Sequence, residues 1–209
     1  ILITTGGTGG HVIPAKIIAE HLKNEFDVYF SIDMRGYKFF KDDKNLFFII
    51  NTPKLNIDFL IPFKILKIIY LIIKSMIYLK KFNIDKIIST GGYMSLPLCI
   101  GGKLLGLKIY LFEPNLTLGR SNKFFLGLSE KIICYSNEIK NFPEKFKNKI
   151  NLIEPLVSKI FYDTEKKDQI NKVFCFLVFG GSQGAKFFDD LIKHSIFDLN
   201  KTYKIKIIQ

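Results

Sequence analysis

The stretch Ile1-Leu2-Ile3-Thr4-Thr5-Gly6-Gly7-Thr8-Gly9-Gly10-His11-Val12-Ile13-Pro14 decides the fold class. The apolar start reads as a buried strand and the glycines as a tight loop. From His11 to about residue 24 the pattern reads as a helix, with Pro14 in its first turn, where proline is tolerated. Glycines between a strand and a helix let backbone N–H groups approach a ligand closely, and the helix N-terminus favours negative charge. A phosphate or diphosphate is the natural occupant; the bland alternative is a tight connection that binds nothing. Neither usual nucleotide fingerprint fits. After Gly7-Thr8-Gly9 the third glycine of G-x-G-x-x-G would fall at Val12, and no G-K-[ST] follows. His11 closes the loop at a helix start, where the local field keeps the ring neutral and able to accept a proton.

Outward from this loop the chain alternates strand and helix. Strands are expected at 26–32, 46–50, 86–89, 108–112, 131–135 and 150–153. Helices are expected at 62–82, 96–105 and 120–128, with a helical turn at 37–41. Short apolar strands separated by helices predict a parallel, doubly wound α/β sheet. A polar, charge-rich stretch follows, and then the pattern restarts with a strand at 173–179, a loop at 180–185, a helix to about 194 and a strand at 203–208. The expected domains are residues 1–161, a linker at 162–171, and the opening βαβ of a second unit at 172–209, which is too short to stand alone. The chain lacks an initiator Met and ends inside a strand-like run, so it reads as a fragment of a longer protein.

Composition narrows the function. The 209 residues carry 31 basic and 19 acidic side chains, a net charge of +12, with 48 % hydrophobic residues, enough for a core. Only Arg35 and Arg120 are arginines. Lysine lacks the forked geometry that reads base edges or grips phosphate bidentately, so the balance favours an anionic surface over sequence-specific nucleic-acid readout. The absence of an arginine stripe and of an aromatic RNA-binding motif disfavours a nucleic-acid binder further. Cys99, Cys134 and Cys175 form no C-x-x-C pair, and each lies in an apolar run, so all three read as small core residues in a reducing compartment.

Glycine pairs directly after strands recur at Gly6-Gly7, Gly91-Gly92 and Gly180-Gly181, and Glu113-Pro114-Asn115 offers a carboxylate and an amide after another strand. With Gly6-Gly7-Thr8-Gly9-Gly10-His11-Val12-Ile13-Pro14, Gly91-Gly92-Tyr93 and Gly180-Gly181-Ser182-Gln183-Gly184-Ala185, these motifs occur in the order seen in one family. Together they closely resemble the MurG-type peptidoglycan glycosyltransferases of glycosyltransferase family 28, over the entire chain. The resemblance implies a two-domain GT-B fold with a Rossmann-like, doubly wound N-terminal domain. It implies transfer of N-acetylglucosamine from UDP-N-acetylglucosamine (UDP-GlcNAc) to undecaprenyl-diphospho-muramoyl-pentapeptide (lipid I), giving lipid II by inverting single displacement. It calls for no cofactor or metal.

By the same resemblance, Thr8, Gly9, Gly10, Asn115 and Ser182 are expected to contact UDP-GlcNAc and the substrate diphosphate, and Tyr93 and Asn122 the acceptor. His11 is the expected general base, with Glu113 as second choice. Two departures stand out. The family's His-Glu-Gln-Asn appears as Phe112-Glu113-Pro114-Asn115, and its Asn-Pro-(x)-Val-Arg near the domain junction as Glu154-Pro155-Leu156-Val157-Ser158, without the arginine.

Residues 59–79 are mostly apolar, yet Lys64, Lys67 and Lys74 argue against a transmembrane helix. At 100° per residue these lysines and Lys81 share one arc, leaving a broad apolar surface that includes Leu66, Ile69 and Ile72. That surface is either core or an interfacial patch with lysines meeting anionic lipid. The family is peripheral at the cytoplasmic face of the inner membrane, which gives the positive charge an anionic membrane as partner. Two other readings stay open: a non-catalytic membrane-docking half of a split GT-B transferase, and a GT-B glycosyltransferase with another lipid acceptor.

Overall fold

β1 (Leu2–Thr4) is an interior strand of a seven-stranded parallel sheet, a place suited to its three residues, which are apolar or small and wholly buried. The structure is a computed structural model that describes residues 1–40, 47–54, 59–162, 173–177 and 185–208. The chain divides into two compact units, Ile1–Asp163 and Thr164–Gln209. All of the expected linker except Tyr162 lies outside the described residues.

In the first unit, β1 is followed by α1 (Gly9–Leu22), β2 (Tyr29–Ile32), α2 (Met34–Tyr37), a 3-10 turn (Lys38–Phe40) and β3 (Phe47–Ile49). Then come α3 (Ile61–Lys81), β4 (Lys86–Ser89), a 3-10 turn (Tyr93–Ser95), α4 (Leu96–Leu104), β5 (Lys108–Glu113), α5 (Arg120–Phe125), β6 (Lys131–Cys134) and β7 (Ile150–Leu152). The sheet order is β3-β2-β1-β4-β5-β6-β7. From β1 the chain winds outward through β2 and β3. It then crosses back to lay β4 on the other side of β1, registered Leu2 to Ile87 and Thr4 to Ser89. A crevice opens at such a reversal, above the carboxyl ends of β1 and β4.

Successive strand residues feed the two faces of the sheet. Leu2, Ile87, Leu111 and Ile132 join one core with Ile68, Leu71 and Leu79 of α3 and Leu98 of α4. Ile3, Ile88 and Phe112 join the other with Val12, Ala15 and Ile18 of α1. Each fully buried aliphatic side chain contributes roughly 1.5–3 kcal/mol. α3 and α4 approach closely, since a Cβ on Gly101 would lie 3.2 Å from the Ile72 carbonyl.

Several boundaries differ from the sequence expectation. α1 begins at Gly9, so Pro14 is its sixth residue and not in its first turn, and the Gly10 carbonyl loses the partner an N–H at position 14 would supply. α5 stops at Phe125, short of residue 128.

The second unit contains β8 (Phe174–Leu177), α6 (Ala185–Asn200) and β9 (Ile205–Ile208), with the strands parallel and registered Phe174 to Ile205. Strand, helix and parallel strand make a βαβ unit. Cys175 is exposed on β8, which corrects its reading as a core residue: this unit's described sheet has two strands and leaves that position uncovered. Cys99 and Cys134 are buried, and burial pushes both thiols up to about 12, which makes them inert.

Candidate functional site

The crevice at the β1/β4 reversal is knitted from both sides. Thr90 N–H donates to the Thr4 carbonyl at 3.1 Å, and the Thr90 hydroxyl donates to Thr5 Oγ1 at 2.8 Å. His11, third in α1, lies with Nδ1 2.8 Å from the Thr90 carbonyl oxygen. A carbonyl only accepts, so Nδ1 carries the proton, and the tautomer this selects for the neutral ring has its lone pair on Nε2. Gly91 has φ +97°, and a Cβ there would stand 3.0 Å from His11 Cε1 and 3.9 Å from Asn122 Nδ2. Both backbone and space therefore require glycine, and the loops after β1, β4 and β5 meet at this point.

Thr8 is the extended N-cap of α1 and makes no side-chain capping bond. The first N–H groups of a helix lack intrahelical acceptors, and here they belong to Gly9 and Gly10. Thr8 and Gly10 are exposed.

Glu113 ends β5 and is 3 % exposed. Its Oε1 accepts from Asn115 N–H at 3.3 Å and from Asn115 Nδ2 at 2.9 Å, and its Oε2 from Gly119 N–H at 2.7 Å and Asn122 Nδ2 at 3.0 Å. Asn122 Nδ2 also reaches the Phe112 carbonyl at 3.0 Å, while its Oδ1 is buried with no hydrogen-bond partner among the described residues. Asn115 is itself exposed. A carboxylate so occupied organises a loop; as the second-choice base it has no free oxygen aimed at a substrate.

Sequence reasoning missed Asp33. It is 4 % exposed and N-caps α2, with Oδ1 accepting from Gly36 N–H at 2.8 Å. The same oxygen accepts from Gly7 N–H at 2.8 Å and so fixes the glycine loop, where Gly7 has φ +82°. A Cβ on Gly6 would lie 2.7 Å from Asp33 Oδ1. Burial by itself raises the Asp33 pKa; the N–H groups of Gly7 and Gly36 and the Arg35 guanidinium outweigh it and hold the carboxyl below its usual range. An Asp directly before a short, glycine-containing helical turn is the available signal.

Ser182 and the rest of the 180–184 loop lie outside the described residues. Ser158, where the family carries arginine, donates to Glu20 Oε2 of α1 at 2.7 Å, and His21 Nε2 lies 2.9 Å from the Val157 carbonyl. The junction segment is thereby tied to α1. Among the described residues, no cluster of His, Cys, Asp and Glu is placed to hold a metal ion.

Tyr93 faces an apolar groove of about 430 Å³ between α3, α4 and α5, lined also by Ile65, Ile69, Leu96 and Phe124, with Arg120 at its edge. α3 buries Ile68, Leu71, Ser75 and Leu79. On the opposite side of the helix, about 180° away at 100° per residue, Phe63, Leu66, Tyr70, Ile73 and Ile77 form a second, exposed apolar stripe. Leu66 and Ile69 thus face outward, whereas Ile72 packs against the core. Lys67, Lys74 and Lys81 line one flank of the exposed stripe. No described helix is long and apolar enough to cross a membrane.

The glycosyltransferase family 28 N-terminal domain matches residues 1–134. A UDP-N-acetylglucosamine--N-acetylmuramyl-(pentapeptide) pyrophosphoryl-undecaprenol N-acetylglucosamine transferase of Pelagibacter ubique is 52 % identical over 210 residues, covering 100 % of this chain and 59 % of that protein. The same-named protein of Rickettsia canadensis is 34 % identical, covering 94 % of this chain and 56 % of its own length. The chain thus spans somewhat over half the length of these curated relatives. The crystal structure of Acinetobacter baumannii MurG superposes with TM-score 0.73 at 23 % identity, over 99 % of this chain and 59 % of that one. A UDP-GlcNAc 2-epimerase of Methanocaldococcus jannaschii shares the fold at TM-score 0.60 and 14 % identity, over 99 % of this chain and 64 % of that one.

Proposed function

The chain belongs to glycosyltransferase family 28, and on that premise we propose that the whole protein transfers N-acetylglucosamine from UDP-GlcNAc to lipid I. The observation that carries the reading is the His11 Nδ1 contact to the Thr90 carbonyl, which leaves Nε2 free as general base at the β1/β4 crevice. Nε2 takes the proton from the attacking muramoyl 4-hydroxyl as the oxygen displaces UDP at the anomeric carbon, with inversion and without a covalent sugar intermediate. The N–H groups of Gly9 and Gly10, with Thr8, stabilise diphosphate charge at the start of α1. The open Oδ1 of Asn122 offers an acceptor for a substrate hydroxyl, Tyr93 lines the acceptor side, and Asn115 and Ser182 serve the donor sugar. Glu113 acts as a positioning residue through Asn115 and Asn122.

Transfer from UDP-GlcNAc to a lipid I analogue, measured with the full-length protein, is expected to fall about 10²–10⁴-fold in His11→Ala. Unchanged turnover removes His11 from the mechanism.

The protein docks peripherally on the cytoplasmic face of the inner membrane, through the exposed apolar stripe of α3. The flanking lysines meet anionic lipid at about 1 kcal/mol each. The full-length protein should therefore bind phosphatidylglycerol vesicles more tightly than phosphatidylcholine vesicles. Leu66→Gln together with Ile73→Gln should weaken both by about tenfold or more, while leaving thermal stability within about 0.5 kcal/mol. Equal binding by the double variant would place the membrane contact elsewhere.

A further inference from the structure

Twenty-nine of the 31 basic residues are lysines, and the two arginines both open or sit in short helices at the carboxyl edge of the sheet. Lysine serves wherever a solvated charge suffices; arginine is needed where a rigid, planar fork must meet an oxyanion. Arg120 stands at the edge of the apolar groove. Arg35 stands beside the glycine loop.

Its placement is specific. Asp33 Oδ2 receives Arg35 Nε at 2.8 Å and Nη2 at 2.7 Å, while Asp33 Oδ1 receives the N–H groups of Gly7 and Gly36. One buried carboxylate thus holds the glycine loop and the guanidinium in a single register. Nη2 lies 3.6 Å from where a Cβ on Gly7 would be, so the guanidinium rests against the loop beside a residue that places no side chain between them. Two of its five N–H groups are spent on Asp33; the three others have no acceptor in the pair, and the side chain is 65 % exposed. An exposed arginine–carboxylate pair adds little stability by itself. Holding a guanidinium so rigidly has another use: it removes the rotamer entropy that an anion would otherwise cost on binding.

We propose that Arg35, oriented by Asp33, is a diphosphate-binding residue that engages a substrate phosphate beside the N–H groups at the start of α1. The proposal rests on the transferase reading, in which both substrates carry a diphosphate. Asp33 is a positioning residue, and Arg35 supplies the fork that a phosphate oxygen pair accepts.

The test is calorimetric titration of the full-length protein with inorganic pyrophosphate, together with transfer kinetics. Arg35→Met should weaken pyrophosphate binding about 10- to 100-fold. Arg35→Lys, which keeps charge and loses the fork, should recover only part of that loss. Amide exchange at Gly7 and Gly36 should remain protected in both, because Asp33 still accepts those bonds. In kinetics, a raised KM for the lipid acceptor places the phosphate on the acceptor, and a raised KM for UDP-GlcNAc places it on the donor; either supports the proposal. Equal pyrophosphate binding in wild type and Arg35→Met overturns it, as does a wild type that binds none. A wild type that binds pyrophosphate through Arg35 yet transfers no sugar leaves this site standing and defeats the transferase reading instead.

Discussion

Asp33 and Glu113 are two buried carboxylates on opposite sides of the β1/β4 crevice, and each accepts four hydrogen bonds, from a neighbouring loop and from the short helix that follows its own strand. Their partners differ in kind. Asp33 divides its oxygens between two backbone N–H groups and a guanidinium, so its charge is balanced within the cluster, and a forked cation is held beside the glycine loop it ties. Glu113 meets amides alone: the side chains of Asn115 and Asn122 and the N–H groups of Asn115 and Gly119. Its charge is spread over dipoles, and what it delivers is the orientation of two amides. The same device, a carboxylate at a strand's carboxyl end, therefore builds a charged contact on the β2 side and a neutral, polar platform on the β5 side.

The sharpest way to break that contrast is to remove the platform. Glu113→Ala leaves the donors of Asn115, Gly119 and buried Asn122 without their acceptor, at about 1–3 kcal/mol for each that stays buried and unsatisfied. A loss of about 3 kcal/mol in urea unfolding of the full-length protein is expected, with the Gly119 amide losing exchange protection. Glu113→Gln keeps one acceptor oxygen but turns an N–H₂ toward donors, so it should fall between. A Glu113→Gln variant as stable as wild type but devoid of transfer would reinstate Glu113 as the base.

The carboxylates also differ in how far the sequence revealed them. Glu113 stands beside Asn115 directly after an apolar strand, so it is visible in the sequence as a site residue, but the donors it accepts from are not. The donors that saturate it include Asn122, nine residues on, and only the packing of α5 against β5 brings that amide back. Asp33 and Arg35 carried a local helix-capping signal and nothing that pointed to Gly7, a bond across 26 residues. Strand–helix alternation is local and was legible throughout the first unit. The helix start was placed two residues late because glycines usually interrupt helices, whereas here Gly9 and Gly10 are tolerated in an N-terminal turn whose N–H groups stay exposed. Cys175 was misjudged because an apolar run was equated with burial, and burial depends on what covers the strand. The apolar stripe of α3 was legible as a surface; which of its residues pack inward depended on the rotation of the helix against the sheet.

A smaller effect sharpens the contrast on the Asp33 side through pH. The folded-state pKa of Asp33 is held below that of the unfolded chain, about 3.9. Its ionised form therefore stabilises the fold above that unfolded value, and the contribution is lost as pH falls through the lower folded one. Asp33→Asn retains an oxygen for the Gly7 and Gly36 N–H groups but gives the guanidinium no charge. The expected cost at pH 7 is about 1–2 kcal/mol, read by urea unfolding with circular dichroism, since the chain contains no tryptophan. The gap between wild type and Asp33→Asn should hold from pH 7 to about 4. It should narrow below that as wild-type Asp33 takes up its proton, and the Gly7 amide should lose exchange protection over the same range. A gap that stays constant down to the acid limit would mean that the carboxyl acts through shape alone. The guanidinium would then be held by geometry without charge, and the difference between the two sides of the crevice would reduce to which amides they hold.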